Sequence, residues 1–170
     1  MLIKKYSSPL GEITIAEKDG YLIGLWFKDQ KHFASTLTTD CKEGSSPILE
    51  QTKEWLDIYF SGKQPSFTPP LQILTTPFAE KVINILRTIP YGHTITYKQI
   101  ATIISKADNK QPSAQAVGGS VGKNPISIII PCHRVVGTNG SLTGYAGGLN
   151  RKCKLLELEG IRIENDKILK

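Results

Sequence analysis

Residues 124–137 of the chain read NPISIIIPCHRVVG. The apolar run at 126–130 has the length and composition of a buried strand, and Pro131 ends it because proline cannot donate to a sheet. Cys132 follows at once, with His133 directly after it. The stretch therefore predicts a cysteine at the end of a buried strand, with an imidazole beside it.

A cysteine next to a histidine is typical of a reactive thiol. The thiolate is the nucleophilic form of cysteine, and a nearby histidine is the usual group that generates it near neutral pH. Neighbours on a regular strand point to opposite faces, so we expect Cys132 and His133 to approach through a turn or one water. An isolated Cys-His pair is more often a structural cysteine beside a surface histidine.

The chain has three cysteines at wide spacing: Cys41, Cys132 and Cys153. An odd number at wide spacing disfavours a disulfide framework, and no Cys/His spacing typical of zinc is present. We therefore expect one reactive cysteine, no metal and no cofactor. Cys41 lies in a polar stretch, and Cys153 lies on an apolar helix face together with Leu149 and Leu156, where a free cysteine packs.

Charge divides the chain into two unlike halves. Residues 1–80 carry 8 Lys and Arg against 10 Asp and Glu, net −2, whereas residues 81–170 carry 13 against 5, net +8. A basic half indicates a polyanionic partner, with a solvated basic face as the alternative. No apolar run reaches the roughly 18 residues of a membrane span, and the N-terminus lacks a signal-peptide core. We therefore expect a cytoplasmic protein without membrane contact.

The first half predicts a small antiparallel sheet followed by a helix. Alternating runs predict three strands: Leu2–Tyr6, Glu12–Ala16 and Leu22–Phe27. Asp19-Gly20 is a hairpin signal, and Ser46-Pro47 supplies a cap and first-turn proline for the helix. The composition of residues 61–70 is that of a linker. We therefore predict an α/β supporting domain over residues 1–70 and a second domain over residues 71–170.

The second half predicts a mainly helical domain. Thr76-Pro77 begins one helix, Thr96 and Gln99 fit the capping box of the next, and a polar loop follows at 106–111. Two further helices are predicted at Ser113–Val121 and at about Asn150–Glu159. A pair of short helices in a basic half resembles a helix-turn-helix, although most helix pairs bind no DNA.

The segment around Cys132 is similar to the O6-alkylguanine-DNA alkyltransferase family. The family's motifs follow in order along residues 78–160, about half of the chain: IPYG at 89–92, TY at 96–97, AVGG at 116–119, NP at 124–125, IPCHRVVG at 130–137, TGYAGG at 143–148 and LLELEG at 155–160. The resemblance implies a ribonuclease-H-like first domain and a winged-helix-like helix-turn-helix in the second.

The resemblance also implies the chemistry. Cys132 would accept an alkyl group, irreversibly and once per chain, from O6 of guanine in DNA, with O4 of thymine as a further substrate. His133 would act as base through a water, and Glu159 would orient His133. Tyr97 would donate a hydrogen bond to a ring nitrogen of the guanine. The remaining substrate contacts implied by the family are Asn124, Val135, Tyr145, Ala146 and Gly147; some members carry serine at the position of Ala146.

Double-stranded DNA is the implied partner, bound by a monomer that can act cooperatively on it. The second helix would enter the minor groove, and the target nucleotide would be flipped out because a stacked base cannot reach a buried thiol. The implied DNA contacts are Thr96, Ala114, Gln115, Ala116, Gly118, Ser120 and Lys123. Gln115 stands where the family usually has arginine, which predicts weaker duplex binding.

Three other functions remain open from the residues alone. Cys132 and His133 fit a thiol hydrolase that turns over its substrate. A non-catalytic protein that binds alkylated DNA, or a DNA-binding regulator in which Cys132 is redox-active, also fits a basic domain with one reactive thiol.

Overall fold

The computed structural model describes residues 1–109 and 112–169, so part of the predicted loop at 106–111 lies outside the described residues. The chain forms two compact units, each built from two segments. The first comprises Met1–Leu74 and Pro125–Ile129, and the second comprises Thr75–Asn124 and Ile130–Lys170.

The first unit is a four-stranded sheet with one helix packed on it. Its elements are β1 (Leu2–Ser8), β2 (Gly11–Lys18), β3 (Tyr21–Phe27), β4 (Lys42–Glu43) and α1 (Pro47–Phe60). The strand order is β3-β2-β1-β4, antiparallel except for the short β4, which runs parallel to β1. The predicted small antiparallel sheet plus helix is confirmed.

Local signals in the sequence explain these elements. Asp19 and Gly20 both have positive φ, 52° and 83°, as the two-residue turn between β2 and β3 requires. Ser46 caps α1 by accepting a hydrogen bond from the Leu49 amide, and Pro47 occupies the first helical turn. The buried face of α1 carries Leu49, Thr52, Trp55, Leu56 and Tyr59.

The second unit is mainly helical, as predicted. Its elements are α2 (Pro77–Arg87), β5 (Ile95–Thr96), α3 (Tyr97–Asp108), α4 (Ala114–Gly122), the 3-10 helix Cys132–Arg134, β6 (Val135–Val136), α5 (Leu149–Leu158), β7 (Ile163–Glu164) and β8 (Lys167–Ile168). Helix α4 packs against both α2 and α3, which gives the helix-turn-helix arrangement.

Helices α3 and α4 of this unit are capped by the residues that the sequence predicts. In the capping box of α3, the Gln99 amide donates to the Thr96 hydroxyl at 3.1 Å and the Thr96 amide donates to the Gln99 side chain at 2.7 Å. Ser113 caps α4 through the Ala116 amide at 3.0 Å. The predicted loop begins too early, however, because α3 continues through residue 108 before Asn109 takes a left-handed φ of 52°.

The predicted buried strand at 126–130 is wrong. Only Ile126 bridges a strand: the Leu25 amide donates to Pro125 O and the Ser127 amide donates to Leu25 O, both at 2.9 Å. The chain then turns tightly at Ile128, whose φ is +71°, and the Ile129 amide donates back to Ser127 O at 2.8 Å. The segment is buried and apolar as expected, but a turn interrupts its extended backbone.

A C-terminal hairpin, β7–β8, completes the second unit. The Leu142 amide donates to Asp166 O and the Ile168 amide donates to Gly140 O, so the hairpin extends the turn that follows β6. Its apolar side chains cover a cluster of Val136, Leu142 and Leu156. Helix α5 buries Lys152, Leu155 and Leu156, and Leu149 is 43% exposed, so the predicted apolar face through Leu149 is wrong.

Gly24 in β3 makes room for a large buried side chain. Residues 24 and 26 share one face of the strand, and a Cβ at Gly24 would lie 1.7 Å from the Trp26 ring. We expect Gly24→Ala to lower the free energy of unfolding by about 2 kcal/mol or more, measured by urea denaturation. Gly119→Ala is the control, because a Cβ there meets no atom within 4 Å. An unchanged urea midpoint for Gly24→Ala would contradict this account of the core.

Candidate active site

Cys132 begins the 3-10 helix and is buried, with 3% of its surface exposed. Its amide donates to Ile130 O at 2.8 Å around Pro131, whose φ of −81° and ψ of 62° are those of an inverse γ-turn. The cysteine therefore lies just after a tight turn, and not at the end of a strand as predicted. The turn holds the thiol in a fixed position below the surface.

Asn124 fixes the thiol from the other side. This buried residue follows α4, and its side-chain amide donates to Ile130 O at 2.9 Å and to Cys132 Sγ at 3.2 Å. The end of α4 is thereby bonded to the segment that carries the cysteine. A donor aimed at sulfur stabilises the thiolate more than the thiol.

Opposing effects act on the ionisation of the thiol. Burial raises the pKa of Cys132 above its ordinary value, because a charged sulfur loses its hydration. The Asn124 hydrogen bond and the positive charge of Lys152 lower the pKa in turn. Burial is the largest of these causes, so the site needs a base to remove the proton.

His133 is placed to be part of that base. Its ring is fully buried, and Nε2 lies 2.7 Å from Glu159 Oε1. Burial lowers the pKa of His133, while the hydrogen bond to Glu159 and its charge oppose that shift. Burial dominates, which keeps the imidazole neutral and able to accept a proton.

Glu159, just after α5, is bonded on both oxygens. Arg134 binds it in a bidentate pair, with Nε 2.8 Å from Oε2 and Nη2 3.0 Å from Oε1, and the Gly92 amide donates to Oε2 at 3.1 Å. Burial alone would raise the pKa of Glu159, but the hydrogen bonds and charges of His133 and Arg134 lower it to about 2. The carboxylate is therefore ionised at neutral pH and orients the imidazole.

Tyr97 begins α3 and approaches the loop after β6. Its hydroxyl donates to Thr143 O at 3.1 Å. Burial and the charge of Cys132 both raise the pKa of Tyr97, so its phenol keeps its proton and remains a donor. Thr143 O also accepts from Lys152 Nζ at 2.7 Å, which ties the loop to α5.

Apart from Asn124, which follows α4, the predicted substrate contacts lie on β6 and on the loop after it. Val135 is fully buried and pairs with Ile95 of β5. Tyr145 and Ala146 are partly buried, while Gly147 is buried and its carbonyl accepts from the Arg151 side chain at 3.1 Å. The structure thus places these residues on the two segments that Lys152 joins.

The predicted DNA contacts cluster on α4 and at the start of α3. Val117 and Val121 bury one face of α4, whereas Ala114, Gln115 and Ala116 are exposed. The remaining predicted contacts are Gly118, Ser120 and Thr96, which are partly exposed, and Lys123, which is exposed. A Cβ at Gly118 would lie 3.9 Å from the Tyr97 ring, so α4 passes beside the tyrosine.

The described part of the chain offers neither a metal-binding cluster nor a membrane-length helix. Among residues 1–109 and 112–169, no group of three or more His, Cys, Asp or Glu side chains is placed to hold a metal ion. None of the helices described is both long and apolar enough to cross a membrane.

Comparison with known families accounts for nearly the whole chain. Residues 1–73 match the ribonuclease-like domain of 6-O-methylguanine DNA methyltransferase, and residues 77–161 match the DNA-binding domain of the same protein. The chain belongs to this family. The family relation also confirms the predicted fold class of a ribonuclease-like α/β domain followed by a helical DNA-binding domain.

Individual relatives agree with this assignment. A methylated-DNA–protein-cysteine methyltransferase from Saccharolobus solfataricus is 42% identical over 93% of this chain and 95% of its own length. A protein of the same name from Mycobacterium bovis is 41% identical over 95% of this chain and 94% of its own length. The crystal structure of Mycobacterium tuberculosis OGT in complex with DNA matches with a TM-score of 0.81 and 39% identity, over 94% of this chain and 92% of that one.

Two residues of the site were missed by sequence reasoning. Arg134 lies within the quoted motif, yet nothing in the sequence predicts its bond to a glutamate 25 positions later. Lys152 belongs to no motif that the sequence analysis identified. Its position three and four residues before Leu155 and Leu156 is the signal that places it on the buried face.

Glu159 is expected to make stability depend on pH. Its folded-state pKa of about 2 lies below the ordinary 4.5, so its contribution is complete above pH 4.5 and is lost as pH falls towards 2. Glu159→Gln should lower the free energy of unfolding by about 3 kcal/mol near neutral pH, because it leaves Arg134 buried without a charged partner. In urea denaturation, this difference should shrink as the pH falls through that window.

The matched control is Glu157→Gln, because this exposed acid of α5 pairs only at the surface with Lys154. It should change the free energy of unfolding little at any pH. A difference between wild type and Glu159→Gln that stays constant from pH 4.5 to pH 2 would contradict the ionised state assigned to Glu159.

Proposed function

We propose that this chain repairs alkylated DNA directly, by moving an alkyl group from O6 of guanine to the sulfur of its own Cys132. The observation that carries this proposal is a buried Cys132 thiol that accepts a hydrogen bond from Asn124, followed in the chain by a buried His133 that is bonded to Glu159. Membership of the methyltransferase family and the DNA-bound relative support the same activity.

The reaction begins with removal of the thiol proton. Glu159 occupies Nε2 of His133, so Nδ1 is the ring nitrogen that would take the proton, by way of a water. Glu159 stabilises the imidazolium that results, as a carboxylate does in other nucleophile–histidine pairs. Asn124 and Lys152 stabilise the thiolate.

The thiolate then attacks the alkyl carbon. A carbon–sulfur bond forms, the carbon–O6 bond breaks, and its electron pair remains on the guanine. The Tyr97 hydroxyl would turn from Thr143 O to a ring nitrogen and stabilise the developing charge of the departing base. The carbonyls of Cys132 and Val135 would accept from the guanine amino group, and a backbone amide near Ala146 would donate to O6.

The product explains why each chain would act once. The sulfur ends as a thioether, which water does not readily hydrolyse, and the thiol proton passes overall to guanine. Consumption of one chain for each lesion follows from that chemistry.

DNA would be bound through the exposed face of α4. Its small residues, Ala114, Ala116 and Gly118, allow a close approach to the sugar-phosphate backbone in the minor groove, while Thr96, Ser120 and Lys123 supply polar contacts. Flipping the nucleotide out of the stack would bring its base to the buried thiol. Gln115 would fill the gap left in the duplex.

The remaining assignments belong to the same proposal. Residues 1–70, with a linker at 61–70, would support a DNA-binding and acceptor domain at 71–170. Tyr145, Ala146 and Gly147 would line the base pocket. The protein would act in the cytoplasm as a monomer, with cooperative binding on DNA and O4-alkylthymine as a second substrate.

Mass spectrometry tests the alkyl transfer. After incubation with excess duplex containing O6-methylguanine, the intact protein should gain one methyl group on Cys132, and product should stop at one per chain. Cys132→Ser should give none, because its hydroxyl is a far weaker nucleophile. Cys41→Ser, at a partly buried cysteine of the first unit, should behave as wild type. Continued turnover by wild type, or demethylation by Cys132→Ser, would exclude this function.

Duplex affinity tests the role of Gln115. Gln115→Arg should tighten duplex binding by about tenfold at fixed low salt, because it adds a charged donor on the DNA-facing helix. The transfer rate at saturating DNA should stay the same. Gln72→Arg adds the same charge at an exposed position of the first unit and is the control. Equal affinities for wild type and Gln115→Arg would remove residue 115 from the DNA contacts.

A further inference from the structure

Helix α5 carries a lysine in an unusual environment. None of the surface of Lys152 is exposed, and it has no carboxylate partner within residues 1–109 and 112–169. Burying an ammonium without a counter-ion is costly, and lysines are rarely buried unless a specific set of partners compensates. The groups that bond Lys152 therefore indicate what its buried charge does.

Three backbone carbonyls surround the ammonium. Lys152 Nζ donates to Val135 O at 2.5 Å, to Thr143 O at 2.7 Å and to Gly144 O at 3.2 Å. A lysine ammonium has three N–H donors, so these bonds use its full capacity. The side chain is thus held in one position, with its charge fixed inside the domain.

The three carbonyls belong to the segments around the acceptor. Val135 directly follows the 3-10 helix that begins with Cys132. Thr143 O also accepts from the Tyr97 hydroxyl at 3.1 Å, so one carbonyl links the lysine to the tyrosine. A single side chain therefore joins α5, β6 and the loop that leads to Ala146.

The charge of Lys152 also acts on the acceptor. It lowers the pKa of Cys132. Burial lowers the pKa of Lys152 to about 8, and the negative charge of the thiolate opposes that shift. The same charge contributes to the lowered pKa of His133. Tyr97 is a further titratable group near this cluster, because its hydroxyl shares the Thr143 carbonyl with Lys152.

We infer that Lys152 is a positioning residue for alkyl transfer: its three hydrogen bonds fix β6 and the 143–144 loop around the acceptor, and its ammonium provides the counter-charge for the thiolate. The inference rests on the proposed function. A lysine that only stabilises the fold would make the same hydrogen bonds. Its influence on the transfer rate would then not depend on its charge.

Single-turnover rates across pH separate these two roles. Lys152→Met keeps the length of the side chain and removes its donors and charge. With saturating O6-methylguanine duplex at pH 7, we expect methylation of Cys132 to be at least tenfold slower than in wild type. The ratio of wild-type to variant rate should shrink as the pH rises through about 8, because wild-type Lys152 then loses its proton.

Lys154→Met is the matched control. This lysine lies on the same helix with 57% of its side chain exposed, and its removal should leave the rate unchanged at every pH. Thermal unfolding measured alongside should show that both variants fold. An unaltered rate for Lys152→Met overturns the inference, and so does a slow rate whose ratio to wild type is constant across pH.

A second variant covers the case in which Lys152→Met does not fold. Lys152→Arg keeps a charge that does not titrate in this range, so its rate relative to wild type should rise above pH 8, and a constant ratio overturns the inference. Wild type in the same assay reports on the proposed function itself. Absence of methyl transfer by wild type rejects that function together with this inference, whereas transfer by wild type with no effect of residue 152 rejects the inference alone.

Discussion

The structure depends on ionisable groups that are buried together. A thiol that must lose its proton, the imidazole that would take it and the carboxylate that orients the imidazole are all withdrawn from water, where each charge is expensive. The free-energy cost of burying these groups is offset because Arg134 neutralises Glu159 and Asn124 donates a hydrogen bond to the sulfur. Burial of these groups is thus compensated by hydrogen bonds from separate stretches of the chain, among them Gly92, Asn124 and Glu159, which is why the second unit must be folded before the thiol can react.

Much of the fold depends on local sequence signals and could be predicted from them. The positive φ at Asp19 and Gly20, the Ser46 and Thr76 caps and the capping box of α3 each depend on residues within a few positions of one another. The order of strands and helices follows from such signals together with hydrophobic periodicity. The candidate nucleophile was also accessible, because its immediate neighbours are distinctive and because the family's motifs recur around it.

The parts that escaped prediction are set by tertiary contacts. The segment at 126–130 has a strand's composition, yet it pairs with Leu25 through one bridge and then turns at Ile128, whose φ is +71°. Lys152 looks like a solvated lysine until three carbonyls from distant segments are placed around it. No window of sequence contains those partners. Local propensity therefore identified the elements, whereas the buried polar contacts needed the assembled fold.

The C-terminal hairpin bears on how variants of this chain should be interpreted. The family match ends at residue 161, but β7–β8 lies beyond it and forms backbone bonds with Gly140 and Leu142. A premature stop codon that spares every recognisable motif would still uncover the apolar cluster behind β6. Judged by its motifs alone, such an allele would look intact. A fusion partner joined directly to β8 would disturb the packing of the hairpin on the same apolar cluster.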